Sequence, residues 1–180
     1  MFGLNMVVHK GKTIFVGDTS VHEYPNAKEL AEIATSSARV VRLFGFDPKV
    51  AFVSHSTFGQ PLTSRTKHIK DAIEILKEKN VNFEFDGDMQ PDVALNKEYQ
   101  SLYPFSKIVG NANILIMPGQ HSAAISYKMM KTLGDTKVIG PLLIGLGLPI
   151  EIAPLRSSTS EILNLASIAA YSADVIDYKK

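Results

Sequence analysis

Two periodicities alternate along the chain. Leu4 to Val8 and Thr13 to Val16 are short β-rich runs separated by His9-Lys10-Gly11-Lys12, a pattern that predicts a hairpin. From Asn26 the period changes, and Leu30, Ile33, Ala34, Ser37, Val41 and Phe44 fall on one helical face. Asn26 and Glu29 have capping-box spacing, and Gly45 is a natural stop. Val50 to Val53 is a continuous apolar run, as expected of a strand buried on both faces. A polar turn, Ser54-His55-Ser56-Thr57-Phe58-Gly59, follows it. A second helix is predicted from about Thr63 or Ser64, with Ile69, Ala72, Ile73 and Leu76 inward.

The alternation continues. Phe83 to Phe85 reads as a strand, and the acidic stretch Asp86 to Asp92 after it reads as a loop with a helix cap at Asp92. A loop carrying Tyr103-Pro104-Phe105 leads to a strand over Ile114 to Met117, stopped by Pro118-Gly119. Gln120 and His121 precede a helix with Ala124, Tyr127, Lys128 and Leu133, closed by Gly134. Gly140 to Ala166 then reads as an apolar strand pair with Gly and Pro punctuation, a turn Pro154-Leu155-Arg156-Ser157-Ser158-Thr159, and a helix start. Such alternation predicts an α/β fold: three layers, a mostly parallel sheet with helices on both faces, and sites at the carboxyl ends of strands. Ser54 to Gly59 and Pro118 to His121 both lie at such ends, so these two loops are expected to border one crevice.

Composition narrows the function. With 45% hydrophobic and 21% charged residues and a net charge of +1, neither disorder nor a strong field for nucleic acid is indicated. Basic and acidic residues are interleaved, which argues against a phosphate-backbone footprint. Without cysteine there is no disulfide or thiolate chemistry, and the lack of a signal-like leader leads to the expectation of a cytoplasmic protein. The apolar run Pro141 to Ile150 is too short to span a bilayer and is broken by Gly145, Gly147 and Pro149, so no membrane partner is expected.

Ser54 to Gly59, between a strand end and a helix N-terminus, forms a candidate anion site where backbone N–H groups and hydroxyls point at one spot. Arg65, Lys67 and Lys70 gain nothing from the dipole of the first turns, and a bound phosphate or sulfate would explain them. The alternative is that the hydroxyls are turn and cap residues and the bases are solvated. Asp86, Asp88 and Asp92 are close enough in sequence to suggest a hard metal, but calcium-loop spacing is missing, so no metal site is assigned. The five histidines are scattered, and Gly145-Leu146-Gly147 lacks the third Gly and following helix of a dinucleotide fingerprint.

The runs YPNAKELAEIA, VAFVSHSTFG, FEFDGDMQPDVAL, NILIMPGQHSAAISYKMM, VIGPLLIGLGLP and EILNLASIAA together resemble, in order, the C-terminal half of the phosphate acetyl/butyryltransferase family over roughly residues 4 to 175. They are most similar to the phosphotransacetylase-like domain at the C-terminus of bacterial NADP-dependent malic enzymes. The resemblance implies a phosphotransacetylase or isocitrate-dehydrogenase-like fold, acetyl-CoA or CoA as ligand and no covalently bound cofactor. It also implies a regulatory and oligomerisation role beside malic-enzyme catalytic domains, which convert malate to pyruvate and CO2. The alternative it leaves open is an active phosphate acyltransferase, or a fragment of one, transferring acetyl between CoA and phosphate.

Active members carry a Ser-Arg-Gly run and, six residues after the Arg, an Asp before an Ile-Val-Asn helix start. Counting back from Ile162-Leu163-Asn164, those positions hold Pro154, Leu155 and Glu161. Arg156 restores the Arg only through a one-residue slip, and Glu161 displaces the carboxylate by a methylene. The resemblance places CoA-binding residues at Ser54, Ser56, Thr57 and Lys128, with Arg156, Ser157 and Ser158 facing them. It further implies a continuous domain over 1–141 and a returning segment over 142–180 that would belong to another, absent N-terminal half-domain. The apolar stripe Ile162, Leu165, Ala166, Ala169, Ala173 and Ile176 is then expected to be exposed and to drive association into a dimer or larger assembly.

Overall fold

The computed structural model describes residues 1–59 and 63–175, with the backbone alone at Arg65. Six strands and six helices follow in the order β1 (Phe2–His9), β2 (Lys12–Gly17), α1 (Ala27–Leu43), β3 (Lys49–Val53), α2 (Ser64–Glu78), β4 (Glu84–Met89), α3 (Pro91–Leu95), α4 (Lys97–Gln100), β5 (Ile114–Ile116), α5 (Gln120–Leu133), β6 (Thr136–Ile144) and α6 (Thr159–Val175) among the described residues. They form one sheet in the order β4-β3-β5-β2-β1-β6. The four strands from β4 to β2 run parallel, and β1 is antiparallel to both of its neighbours.

The hairpin forms as predicted. His9 pairs with Lys12, leaving Lys10 and Gly11 as a two-residue turn, both at positive φ, the conformation that matches the twist of paired strands. The expected α1 also forms: the Asn26 side chain accepts from the Lys28 and Glu29 amides, and Glu29 returns a bond to the Asn26 amide at 2.8 Å. Gly45, at φ +81, takes the left-handed position just past the helix end.

The pleat sends alternate residues to opposite faces. Leu4, Phe15, Phe52, Ile114 and Ile116 meet α1, α2 and Leu165 of α6 on one side. Val7, Val16, Ala51, Val53 and Leu115 meet α3 and Ala123 of α5 on the other. The three-layer expectation is therefore met.

The acidic stretch departs from the expected loop. β4 continues through Asp86, Gly87 and Asp88 to Met89, because pairing with β3 supplies bonds that the local sequence does not advertise. Asp92 is not the cap of the next helix. Gln90 holds that position, Pro91 follows, and the Asp92 side chain accepts from the Val93 amide. The strand pair expected within Gly140 to Ala166 is a single strand, β6, which starts four residues earlier at Thr136. Its would-be second strand is reduced to a bridge between Leu142 and Glu151, since Gly145, Gly147 and Pro149 do not support a ladder. The strand passes through residues 141 and 142 without interruption.

The expected apolar stripe on α6 is only partly exposed. Ile162 is half exposed, but Leu165 is buried at 5% in the core beneath the sheet, and Ile176 lies outside the described residues. No helix is long and apolar enough to cross a membrane among the described residues.

Candidate functional site

The chain changes faces between β3 and β5. α2 leaves β3 over one side of the sheet and α5 leaves β5 over the other, which opens a crevice at the carboxyl ends of the two neighbouring strands. A cleft of about 350 Å³ lies there, lined by Ser54 and His55 from one loop and by Pro118, His121, Ser122 and Ser126 from the other. The two loops therefore border one crevice, as expected. Gly119 enters α5 so close to the Glu23 carbonyl that a Cβ would stand 2.5 Å from it, so only glycine fits. α5 has no side-chain cap and no acidic residue in its first turn.

The Ser54 to Gly59 loop is fastened to the end of β4. Buried Ser56 donates its hydroxyl to the Asp88 carboxylate, which also accepts the Gly59 amide at 2.9 Å. The Phe58 amide bonds the Asp88 carbonyl, and the Ser54 amide bonds the Met89 carbonyl. The Thr57 hydroxyl accepts from the Gln90 amide at 3.3 Å. Ser56 and Thr57 thus serve the frame of the loop in this geometry. The Ser54 hydroxyl stands 3.3 Å from His55 Nδ1 and lines the cleft. Lys67 and Lys70 are exposed on α2.

The neighbouring carboxylates are also spent on backbone. Asp86 accepts the Lys107 amide and Glu84 accepts the Val109 amide, both at 2.7 Å. These bonds hold the 107–109 segment against the edge strand β4, a role that required long-range contacts to see.

Lys128 does not enter the first cleft. It lines a second one of about 180 Å³ between α5, β6 and α6, together with Lys131, Ser157, Pro154 and Glu161. The structure therefore brings Lys128 and Ser157 together and leaves Ser54 on the other flank of α5. Leu155 and Arg156 are exposed on the turn, and neither lines this cleft. Ser158 is the N-terminal cap of α6. Its amide and hydroxyl donate to Glu161 at 2.7 and 3.0 Å, and the Glu161 amide donates back to the hydroxyl at 3.3 Å.

Glu161 has a second partner, the Lys131 ammonium, at 2.6 Å. Lys131, with Ser158 behind it, holds the Glu161 carboxyl down at about 2. A carboxylate so weakly basic is a poor proton acceptor at neutral pH. The Ser158-x-x-Glu161 spacing is itself a capping-box signal that the sequence reading passed over. Lys131 carried no such signal, because its partner lies on another helix.

A third cavity, of about 270 Å³, separates α1 from β6 and α6 and contains Glu151, Arg39 and Tyr171. Glu151 accepts the Leu143 amide at 3.2 Å, and burial pushes its carboxyl up to about 7.

Comparison with known proteins gives this frame a family. A model described as phosphate acetyl/butaryl transferase matches residues 1–170. The NADP-dependent malic enzyme of Rhizobium meliloti (strain 1021) is 44% identical over 173 residues, which cover 96% of this chain and 23% of that protein. The phosphate acetyltransferase of Bacillus subtilis (strain 168) is 32% identical over 169 residues, covering 93% and 52%. A phosphotransacetylase from Streptococcus pyogenes superposes with a TM-score of 0.90 at 32% identity, covering 96% of this chain and 54% of the other. The chain thus spans about a quarter of the length of the malic enzyme and about half that of the phosphotransacetylases. With a family model matched along nearly its whole length, the chain belongs to the phosphate acetyl/butaryl transferase family.

Proposed function

We propose that this chain is a non-catalytic, acetyl-CoA-binding regulatory and assembly domain of an NADP-dependent malic enzyme. One observation carries the reading: the polar groups that the family chemistry asks of positions 154, 155 and 161 are missing or otherwise engaged. Pro154 has no hydroxyl and Leu155 no guanidinium fork for phosphate or a thioester oxygen. Glu161 is engaged by Lys131 and by the first turn of α6. A crevice at the carboxyl ends of β3 and β5 is present, lined by Ser54 and His121.

Ligand binding does not need those three groups. Ser54 at one cleft and Lys128 with Ser157 at the other present hydroxyls and a cation on the two flanks of α5. This suits a ligand with an anionic end and a long neutral arm. Regulation follows only if acetyl-CoA binds one state of the assembly more tightly than another, since equal affinity shifts nothing. The exposed Ile162 and Leu163 on α6 support self-association or contact with the remaining half of such a module.

The test is a calorimetric titration with acetyl-CoA, paired with an assay of acetyl phosphate formation from acetyl-CoA and phosphate. Binding without turnover is expected. Turnover at enzymatic rates establishes a transferase instead, and absence of both leaves assembly alone.

A further inference from the structure

We infer that Lys131 is a second cation of the anion site on α5, and that Glu161 is a built-in competitor which an anionic ligand must displace. The inference rests on the reading of this flank as a ligand site. Lys128 and Lys131 line the same cleft, and among the described residues the only carboxylate lining it is Glu161, which sits on Lys131 at 2.6 Å. The contact joins α5 to the first turn of α6 along the lining of a space of about 180 Å³. That volume falls below the roughly 300 to 1,000 Å³ of sites that enclose ligands of drug size. Enclosing a group as large as a CoA pyrophosphate arm within this space asks α6 to move outward.

α6 is lightly held. Of its described residues only Leu165 is buried; Ile168 packs partly buried against the same core, the Tyr171 hydroxyl donates to the Leu43 carbonyl at 3.0 Å, and Glu161 meets Lys131. The Lys131–Glu161 pair is half open to solvent, so its attraction is small and screened by salt. A phosphate group offers Lys131 more charge than one carboxylate does. Exchange of Glu161 for phosphate would release the first turn of α6 and leave two ammoniums on the ligand. The site and the movement of α6 are thereby coupled.

Three variants separate this from a general charge effect. Glu161→Gln removes the charge but keeps a side chain able to close the capping box on Ser158. Lys131→Met removes the cation and leaves the cap. Glu74→Gln breaks the Lys77 pair on α2, a 2.6 Å contact on another helix, with the same change in net charge as Glu161→Gln. Affinities for inorganic pyrophosphate and for CoA are measured at low salt, with amide hydrogen exchange followed over residues 158–165.

Glu161→Gln is expected to tighten both ligands by roughly two- to fivefold, Lys131→Met to weaken them, and Glu74→Gln to do neither. Both cleft variants should speed exchange at 158–165 before ligand is added. If Glu161→Gln binds no better than Glu74→Gln, or if no variant binds pyrophosphate, the competitor role is overturned. If pyrophosphate behaves as expected and CoA binds to nothing, the competitor role stands and the acetyl-CoA reading falls.

Discussion

α1 and α6 each have 17 described residues and lie on the same side of the sheet, yet they are used in opposite ways. α1 buries eight residues, from Leu30 to Val41, and keeps its charges outward. α6 is apolar around most of its circumference and among its described residues buries only Leu165, while Ile162 and Leu163 are 50% and 65% exposed. A helix that is apolar all round is ordinarily covered on more than one side. The contrast teaches that the periodicity of α1 matches a surface this chain supplies, whereas the apolar face of α6 is left uncovered among the described residues.

The largest effect that tests the contrast is core truncation. Leu30→Ala should cost about 2–5 kcal/mol, the range for a large aliphatic side chain removed from a packed core. Leu163→Ala should stay within about 0.5 kcal/mol, as surface changes do. Urea unfolding midpoints of the two variants measure both. Equal losses would mean that the outer face of α6 is covered in solution, and a dependence of the Leu163→Ala loss on protein concentration would identify the cover as a second copy.

Glu151 sharpens the comparison at the joint between the two helices. It lines the cavity between α1 and α6 together with Arg39 of α1 and Tyr171 of α6, with its carboxyl raised by burial from 4.5 to about 7. The folded state therefore holds a proton that the unfolded state has released between those values. Stability on this account is full below pH 4.5 and is lost as pH rises through 7. After discounting for partial solvent exposure the loss is on the order of 1–2 kcal/mol. Glu151→Gln should flatten that part of the stability profile, read from unfolding midpoints between pH 5 and 8. A slope that survives the substitution would place the titrating group elsewhere.

What was legible in the sequence follows the same division. Wherever an element met its own sheet, the residues announced it: the hairpin around Gly11, the Asn26 cap, the inward face of α2 and the crevice between Ser54 and His121. What failed depended on contacts between distant segments. β4 extends past Phe85 because β3 lies beside it, and β6 begins at Thr136 because β1 pairs there, although Thr136 and Lys137 look like loop. The carboxylates of Asp86, Asp88 and Asp92 are close in sequence, yet each accepts a separate backbone amide, from Lys107, Gly59 and Val93 respectively. Lys128 was expected beside Ser54 with Ser157 facing both; Ser54 lines one cleft along α5, and Lys128 with Ser157 lines another.

The smallest effect is the most discriminating, because both helices begin with a capping box. Asn26 accepts from the Lys28 and Glu29 amides at 2.9 and 3.1 Å, and Glu29 closes the box. Ser158 accepts from the Glu161 amide, and Glu161 closes the box in the same way. Removal of either cap, by Asn26→Ala or Ser158→Ala, forfeits about 1 kcal/mol of helix stability. The loss should appear in different places. α1 is built into the core, so it can open only with the whole fold, and Asn26→Ala should lower the global unfolding midpoint. α6 is held by few contacts and can fray alone, so Ser158→Ala should leave that midpoint nearly unchanged and instead speed amide exchange over the first turns of α6. If Ser158→Ala lowers the global midpoint as much as Asn26→Ala, α6 unfolds with the core, and the division between a helix made for this sheet and one made for another surface is wrong.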